Sequence, residues 1–395
     1  MIVPSHFTPL AAPGMVALGL KWMWNPESPF YIKPRLDLDL LSWGFKFWRA
    51  ATADHVRRAA PLLRDLHLAS RAGYEEFAAL PDTDFGLVQK GLVMLCRTQH
   101  ALDEEAAAAQ QARALGVPAD VLDARQTAAL DPNVTMTVAG SVYFPKDCHL
   151  SPDRFMAALK QQCDRLDVKF IWNTEVAGWK LENRRIVSVQ VKTAGAPEII
   201  RRERDGNTKS RVGPLRSDTN EITADEFVLC GGSWSPVISR DLGLTLPMQA
   251  GKGYSLTLTQ PRQLPQICSI FTEARVAVTP MIGTLRFGGT MEMAGLNEDI
   301  NPVRVRGIIK SVPHYYPQFR EEDFAEVRPW RGLRPCSPDG LPYLGRTRRA
   351  SNLVVATGHA MMGLSLGPIT GRLVAELITD GKPSLALDLL NPDRY

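Results

Sequence analysis

Arg334 lies in the run Gly332-Leu333-Arg334-Pro335-Cys336-Ser337-Pro338-Asp339-Gly340. A planar guanidinium holds a carboxylate through two parallel hydrogen bonds, so this arginine suits capture of an acidic group. A structural ion pair with Asp339 is the alternative. Further on, Thr357-Gly358-His359 ends an apolar run over 353–356, and Gly363 and Gly367 lead into Ile369, Leu373 and Leu377 at helical spacing. The order is strand, glycine turn, helix. The helix start near Gly363 and Leu364 would present unpaired N–H groups and the positive end of a dipole. Nothing large stands at Gly358 or Gly363, so a flat ligand can approach the backbone there. Tyr254, in Gly251-Lys252-Gly253-Tyr254-Ser255, offers a hydroxyl for substrate binding or for gating a cavity; a core tyrosine is the alternative. No Ser-His-Asp order accompanies His359, so hydrolysis is not supported. No histidine pair at i,i+4 has an acidic third ligand, and no metal is expected.

These groups need a frame to hold them. Residues 337–340 form a turn, with Pro fixing φ and Gly accepting positive φ. Apolar spacing predicts helices over 54–80, 102–115, 123–130 and 303–316, and a helix over 154–166 opened by Pro152 with Ser151 as cap. Strands are expected at 141–145, 168–172, 177–181, 186–192, 276–279, 285–290 and 291–293, and two short ones within 85–97. The run 224–235 reads as a hydrophobic strand ending in Gly231 and Gly232. Two glycines at a strand's C-terminal end are where an open α/β sheet binds ligand.

The chain has 395 residues, 45% hydrophobic and 22% charged, with a net charge of +4. That is room for two domains, and too little positive charge to argue for nucleic acid. Its six cysteines (Cys96, Cys148, Cys163, Cys230, Cys268, Cys336) include no C-x-x-C pair, as expected of reduced thiols in the cytoplasm. Met1-Ile2-Val3-Pro4-Ser5-His6 carries no basic run of the kind that opens a signal peptide. Residues 353–371 contain no Asp, Glu, Lys or Arg, but hold four glycines and a proline, and burial of the strand-turn-helix accounts for their apolarity. Residues 26–48 and the preceding Trp22 and Trp24 are aromatic-rich, with Phe30, Tyr31, Trp43, Phe45, Phe47 and Trp48 set among Lys21, Lys33, Arg35, Lys46 and Arg49. Two readings stand: an amphipathic helical arm packed on the core, or a surface touching a membrane. The polar stretch 195–220 reads as an exposed insertion.

The 332–367 region resembles the flavin end of the D-amino-acid dehydrogenase / glycine oxidase family of FAD-dependent amine oxidoreductases. In that family Gly-Leu-Arg-Pro-x-[Ser/Thr]-Pro-Asp-Gly carries the substrate arginine, and a Thr-Gly-His strand and glycine-rich helix start face the flavin ring. The resemblance extends to Val-Leu-x-x-Gly-x-Trp-Ser around Gly231 and to Lys-Gly-Tyr-Ser at 252–255. It implies FAD as cofactor, contacted by Val176, Gly231, Gly232, Ser233, Trp234, Gly332, Thr357, Gly358, His359, Gly363 and Leu364, with Arg334, Tyr254 and His359 at the reaction centre. Arg286 and Glu292 are further candidates for the cavity wall. The family opens with a G-x-G-x-x-G unit for the FAD pyrophosphate. Residues 1–395 contain none, and the start resembles the segment just after that unit. A late-set start codon or a non-catalytic remnant would each account for this.

The implied architecture is α/β (α+β): a glutathione-reductase-like FAD domain, N-terminally incomplete, with an antiparallel-sheet substrate domain. The expected division is 1–145 (aromatic arm and first part of the substrate domain), 146–240 (FAD-domain segment), 241–326 (substrate domain) and 327–395 (FAD-domain C-terminal segment). The implied reaction is oxidative deamination of a D-amino acid to a 2-oxo acid, with electrons passed to a quinone-type acceptor. An oxygen-using glycine or sarcosine oxidase and a hydroxyproline dehydrogenase are alternatives on the same fold. The expected location is the cytoplasm, or the inner face of the plasma membrane as a peripheral protein.

Overall fold

A computed structural model describes residues 1–23, 27–193, 219–379 and 381–395. Trp24, Pro26 and all of the 195–220 stretch but Thr219 and Asn220 lie outside the described residues. The chain opens with α1 (Met15–Met23), β1 (Phe30–Ile32) and α2 (Leu38–Ala50). The Asp37 carboxylate caps α2, accepting from the Asp39 and Leu40 amides. α3 (Ala53–Ala78) buries Ala59, Leu63 and Leu66 along the face its spacing predicts. Then come β2 (Leu92–Cys96), α4 (Gln99–Ala114), β3 (Asp120–Asp123), α5 (Ala124–Leu130), β4 (Gly140–Phe144) and α6 (Pro152–Arg165). Next are β5 (Thr174–Glu182), β6 (Arg185–Thr193), β7 (Thr219–Ile222), β8 (Phe227–Leu229) and α7 (Ser235–Ile238). The remainder is β9 (Gln249–Leu258), β10 (Cys268–Phe271), β11 (Val276–Met281), β12 (Thr284–Met293), α8 (Pro302–Tyr315), β13 (Trp330–Cys336), β14 (Tyr343–Arg346), β15 (Leu353–Thr357) and α9 (Gly363–Thr379).

Three sheets result among the described residues. The largest runs β13-β9-β12-β11-β10-β2-β4-β3, mostly antiparallel, with β1 alongside the end of β12. A second sheet, β14-β15-β8, sets β8 and β15 parallel, so that both run into their glycine turns at one end. The third is the antiparallel meander β5-β6-β7. This is the mixed α/β architecture with antiparallel sheets that the sequence implied. The helical run Ala360–Thr379, which contains α9, is long and apolar enough to cross a bilayer by length and composition. Within it Leu366, Ile369 and Leu373 are buried in the core with Leu63 and Leu66 of α3, while 28% of the apolar window as a whole is buried.

Several local expectations are corrected. Residues 168–172 are not a strand: no neighbouring strand among the described residues offers the hydrogen bonds that make one, and Phe170 stacks on Trp172 at 5.3 Å between ring centroids. The 85–97 stretch supplies one strand, β2, plus an isolated bridge from Val88 to His149. Ser151 stands at the N-cap of α6, yet its side chain makes no cap hydrogen bond. Residues 285–293 form the single strand β12, bent by a bulge between Gly289 and Glu292 where Thr290 adopts φ +70°.

Histidines held neutral by burial set a pH dependence, His67 in the core and His359 at the turn after β15 among them. Burial lowers His67 to about 3 and His359 to about 4. Unfolded, both titrate near 6.5, so the unfolded chain binds more protons below that pH. Their contribution to stability is therefore full above 6.5 and is lost as pH falls from 6.5 toward 3; His6 and His149, lowered to about 4 and about 3, act in the same sense, and Asp147, raised to about 7 by burial, in the opposite one. Urea midpoints measured across that range should drop in the native protein and drop less steeply in His67→Gln.

Candidate active site

Strand β9 pairs with β13 so that Gly251 faces Arg334, Gly253 faces Gly332 and Ser255 faces Trp330. Directly opposed residues share a face. One face of this part of the sheet is therefore nearly bare backbone, crossed by the Arg334 and Trp330 side chains. The bareness is required: a Cβ on Gly253 would stand 2.0 Å from the Arg334 guanidinium, and one on Gly332 would stand 2.5 Å from the Trp330 ring. Arg334 Nη1 donates to the Thr290 carbonyl at 2.8 Å, a carbonyl that sits within the β12 bulge. Burial, with a smaller effect from Arg286, holds this guanidinium below the ordinary arginine range, against an opposing effect from Cys336. Arg286 itself lies 5.2 Å over the Trp330 ring.

Asp339 does not pair with Arg334. It takes Arg394 instead, through Nε at 2.7 Å and Nη2 at 3.0 Å. No salt bridge joins Arg334 to a carboxylate among the described residues. A half-buried cation without an anion is left facing the site, and its free N–H groups suit a ligand carboxylate.

The glycine-ended strands converge on the same strand. The Ser235 hydroxyl bonds Thr357 Oγ1 at 3.0 Å, and Thr357 Oγ1 donates to the Gly232 carbonyl at 3.2 Å, tying the turn after β8 to the end of β15. Ser233 Oγ donates to the Leu333 carbonyl at 3.4 Å, and His359 forms a β-bridge with Cys336. Gly231–Trp234, Thr357–His359 and Gly332–Arg334 are thus brought together. Gly358 takes φ +78°, and a Cβ there would stand 2.8 Å from Tyr343, so the turn needs glycine. On Gly232 a Cβ would meet nothing within 4 Å, and on Gly363 only the His359 Cβ at 3.8 Å. Open space beside backbone at the ends of two parallel strands fits a flat cofactor. His359 Nε2 shares a hydrogen bond with Thr370 Oγ1 at 3.0 Å, and its low pKa keeps the ring neutral at neutral pH.

Tyr254 lies elsewhere. Tyr254 points to the opposite face of β9, against α8, and is 1% exposed. Its hydroxyl donates to Glu292 Oε2 at 2.6 Å and accepts from the Asn301 amide at 3.1 Å. Lys252 shares that face, its ammonium donating to Asn297 Oδ1 and the Asp299 carbonyl and lying 3.9 Å from Glu292. Glu292 is consumed there too. Val176 sits on β5, an edge strand, with its side chain on the cluster of Ile186, Val189 and Leu242. Sequence reasoning missed Gly253, the Thr290 carbonyl and the Ser235–Thr357 link. The Gly251-x-Gly253 spacing on a strand was the available signal for the first. Gly253→Ala is expected to displace the Arg334 guanidinium and lower kcat/KM by on the order of tenfold to a hundredfold, while Ser255→Ala, on the same face, changes it little. Steady-state kinetics of the two variants check this.

Residues 35–377 match the DAO family, described as FAD dependent oxidoreductase. The chain is 29% identical to the D-amino acid dehydrogenase of Methylobacterium radiotolerans, over 100% of this chain and 88% of that one. It is 27% identical to the D-amino acid dehydrogenase of Granulibacter bethesdensis, over 97% and 86%. Among solved structures it resembles glycine oxidase from Geobacillus kaustophilus, with a TM-score of 0.70, 25% identity and coverage of 84% and 83%. L-proline dehydrogenase from P. horikoshii shares the fold, with a TM-score of 0.68 at 18% identity, over 84% and 83%. The chain belongs to the FAD dependent oxidoreductase family of enzymes, and FAD is its cofactor.

Proposed function

We propose that this enzyme oxidatively deaminates D-amino acids and delivers the electrons to a quinone-type acceptor. The observation that carries the reading is Arg334, a guanidinium without a carboxylate partner among the described residues, beside the glycine turns of β8 and β15. Its remaining N–H groups would grip the substrate carboxylate and orient the carbon bearing the amine. Gly231–Trp234, Gly332, Thr357–His359, Gly363 and Leu364 would hold the flavin. Bound FAD supplies the acceptor for a hydride from that carbon. The substrate loses this hydride and an amine proton and becomes an imine. Water adds to the imine, and ammonia leaves to give the 2-oxo acid. The dipole at the start of α9 favours negative charge at the ring side of the site. Neutral His359 shapes the site through its bond to Thr370 rather than carrying a proton. The D-amino acid dehydrogenase names of relatives spanning nearly the whole chain support the substrate class.

The likeness to glycine oxidase favours a second reading, oxygen-dependent oxidation of glycine or sarcosine. The two are separated by incubating the FAD-loaded protein with D-alanine, L-alanine, glycine and sarcosine, with either dichlorophenolindophenol or air as acceptor. Dye reduction and pyruvate formation with D-alanine alone, without peroxide, are expected. Peroxide release with glycine or sarcosine would replace the proposal by the second reading.

A further inference from the structure

Helix α2 has two apolar faces. Trp43 and Phe47, at i and i+4, turn inward; Trp43 is 4% exposed and donates its indole N–H to the Cys336 carbonyl at 2.9 Å. Leu38, Leu41, Phe45 and Trp48, at i, i+3, i+7 and i+10, point away from the core and are 83%, 63%, 58% and 60% exposed. A helix serving only to cover a core has one such stripe and a polar back. Leu36, just before the helix, is fully exposed, and Leu20 of α1 is exposed as well. Leu20 and Gly44 stand at an apolar cavity of about 160 Å³ floored by Trp43, Met291 and Met293.

The helix cannot easily turn to hide this stripe. Asp37 caps its start, Arg35 pairs with Asp37 and donates to Gln249 Oε1, and Trp43 pins its middle. The charges beside the stripe are mainly positive. Arg49 lies 6.0 Å from the Phe45 ring, Lys46 projects from the flank with its ammonium on Ser42 Oγ, and Lys33 is exposed just upstream; Asp39 is the one carboxylate within α2.

We infer that the outer face of α2 docks on an anionic lipid bilayer, with Leu38, Leu41, Phe45 and Trp48 entering the interfacial layer and Lys33, Lys46 and Arg49 meeting headgroup phosphates. Aromatic and leucine side chains bordered by lysine and arginine form the pattern that lies in the plane of a bilayer surface. A protein partner would need no such basic border. Because Trp43 is bonded to Cys336, two residues from Arg334, docking would hold the active-site strand at a set height above the lipid. The reading is independent of which amine is oxidised.

Flotation of the full chain with vesicles tests it. Wild type is expected to float with phosphatidylcholine vesicles containing phosphatidylglycerol, and less with phosphatidylcholine alone. Substituting Leu41→Ser, Phe45→Ser and Trp48→Ser together should lower the bound fraction by on the order of tenfold. Lys46→Glu with Arg49→Glu should lower binding to the anionic vesicles alone. All five side chains lie on the outer surface of α2, so both variants should keep the wild-type urea midpoint and turnover with a soluble dye. No flotation of wild type on either vesicle would overturn the inference. So would undiminished flotation of the triple variant, or concentration-dependent self-association that the triple variant abolishes without any vesicle binding.

Discussion

Arg334→Ala is expected to lower kcat/KM for a D-amino acid by about thirty-fold to several-thousand-fold while FAD is retained. The estimate follows from one charge-assisted contact. Removing one partner of a buried, hydrogen-bonded charge pair costs about 2–5 kcal/mol, because the other charge is left unpaired, and about 1.4 kcal/mol is a tenfold change in rate. Here the substrate carboxylate would be left among Thr290, Gly253 and the Trp330 ring, with Arg286, 5.2 Å over that ring, as a remaining cation that would hold the loss toward the lower end of the range. Arg334→Lys keeps the charge but loses the planar fork, so it should recover part of the loss. Flavin absorbance should be unchanged in both, since the proposal assigns the cofactor to the Gly231–Trp234 and Thr357–His359 turns and not to this guanidinium. Unchanged kcat/KM in Arg334→Ala would remove the assignment. Loss of flavin with activity would shift Arg334 from substrate binding to support of the fold.

The sequence made Arg334 and the glycine turns legible because each has a local signature. A strand ending in glycine and leading to a helix shows its chemistry within a few residues, as at 353–367 and 227–235. Tyr254 shows where that kind of reading stops. The residue type suited a substrate contact, but which face of β9 it occupies depends on register, and register is set by neighbours far away in sequence. Gly253 pairs with Gly332 and Tyr254 with Arg331, so a shift of one residue would exchange the two faces. Alternation alone would have told that Gly251 and Gly253 share a face and that Lys252 and Tyr254 share the other; only the pairing tells which face carries Arg334. Residues 168–172 show the complementary limit. Their apolar, β-branched composition is that of a strand, but a strand exists only with a partner to bond. The fate of Asp339 was also beyond local reading, since its partner Arg394 comes from the far end of the chain.

That pair carries the second large effect. Arg394→Ala is expected to destabilise the protein by about 3–5 kcal/mol, the cost of leaving a buried carboxylate without its cation. The Asp339 and Arg394 side chains are only 11% and 12% exposed. Arg394 also donates to the carbonyls of Leu341, Leu390 and Asn391 and lies 3.9 Å over the Tyr343 ring. One guanidinium thus holds the end of the chain to the turn that follows the Arg334 strand. Asp339 takes further load: its Oδ1 accepts from the Leu341 amide at 3.1 Å, and its carbonyl is bonded by His55 Nε2 at 2.8 Å. The sign of a second substitution separates charge from packing. If the loss in Arg394→Ala comes chiefly from the stranded carboxylate, adding Asp339→Asn should restore part of it, because a neutral amide is cheaper to bury unpaired than an anion. If it comes from lost contact with Tyr343, Arg394→Met should recover stability and Asp339→Asn should not. Urea midpoints of the single and double variants decide between these. A loss below about 1 kcal/mol in Arg394→Ala would instead place the pair with ordinary surface salt bridges.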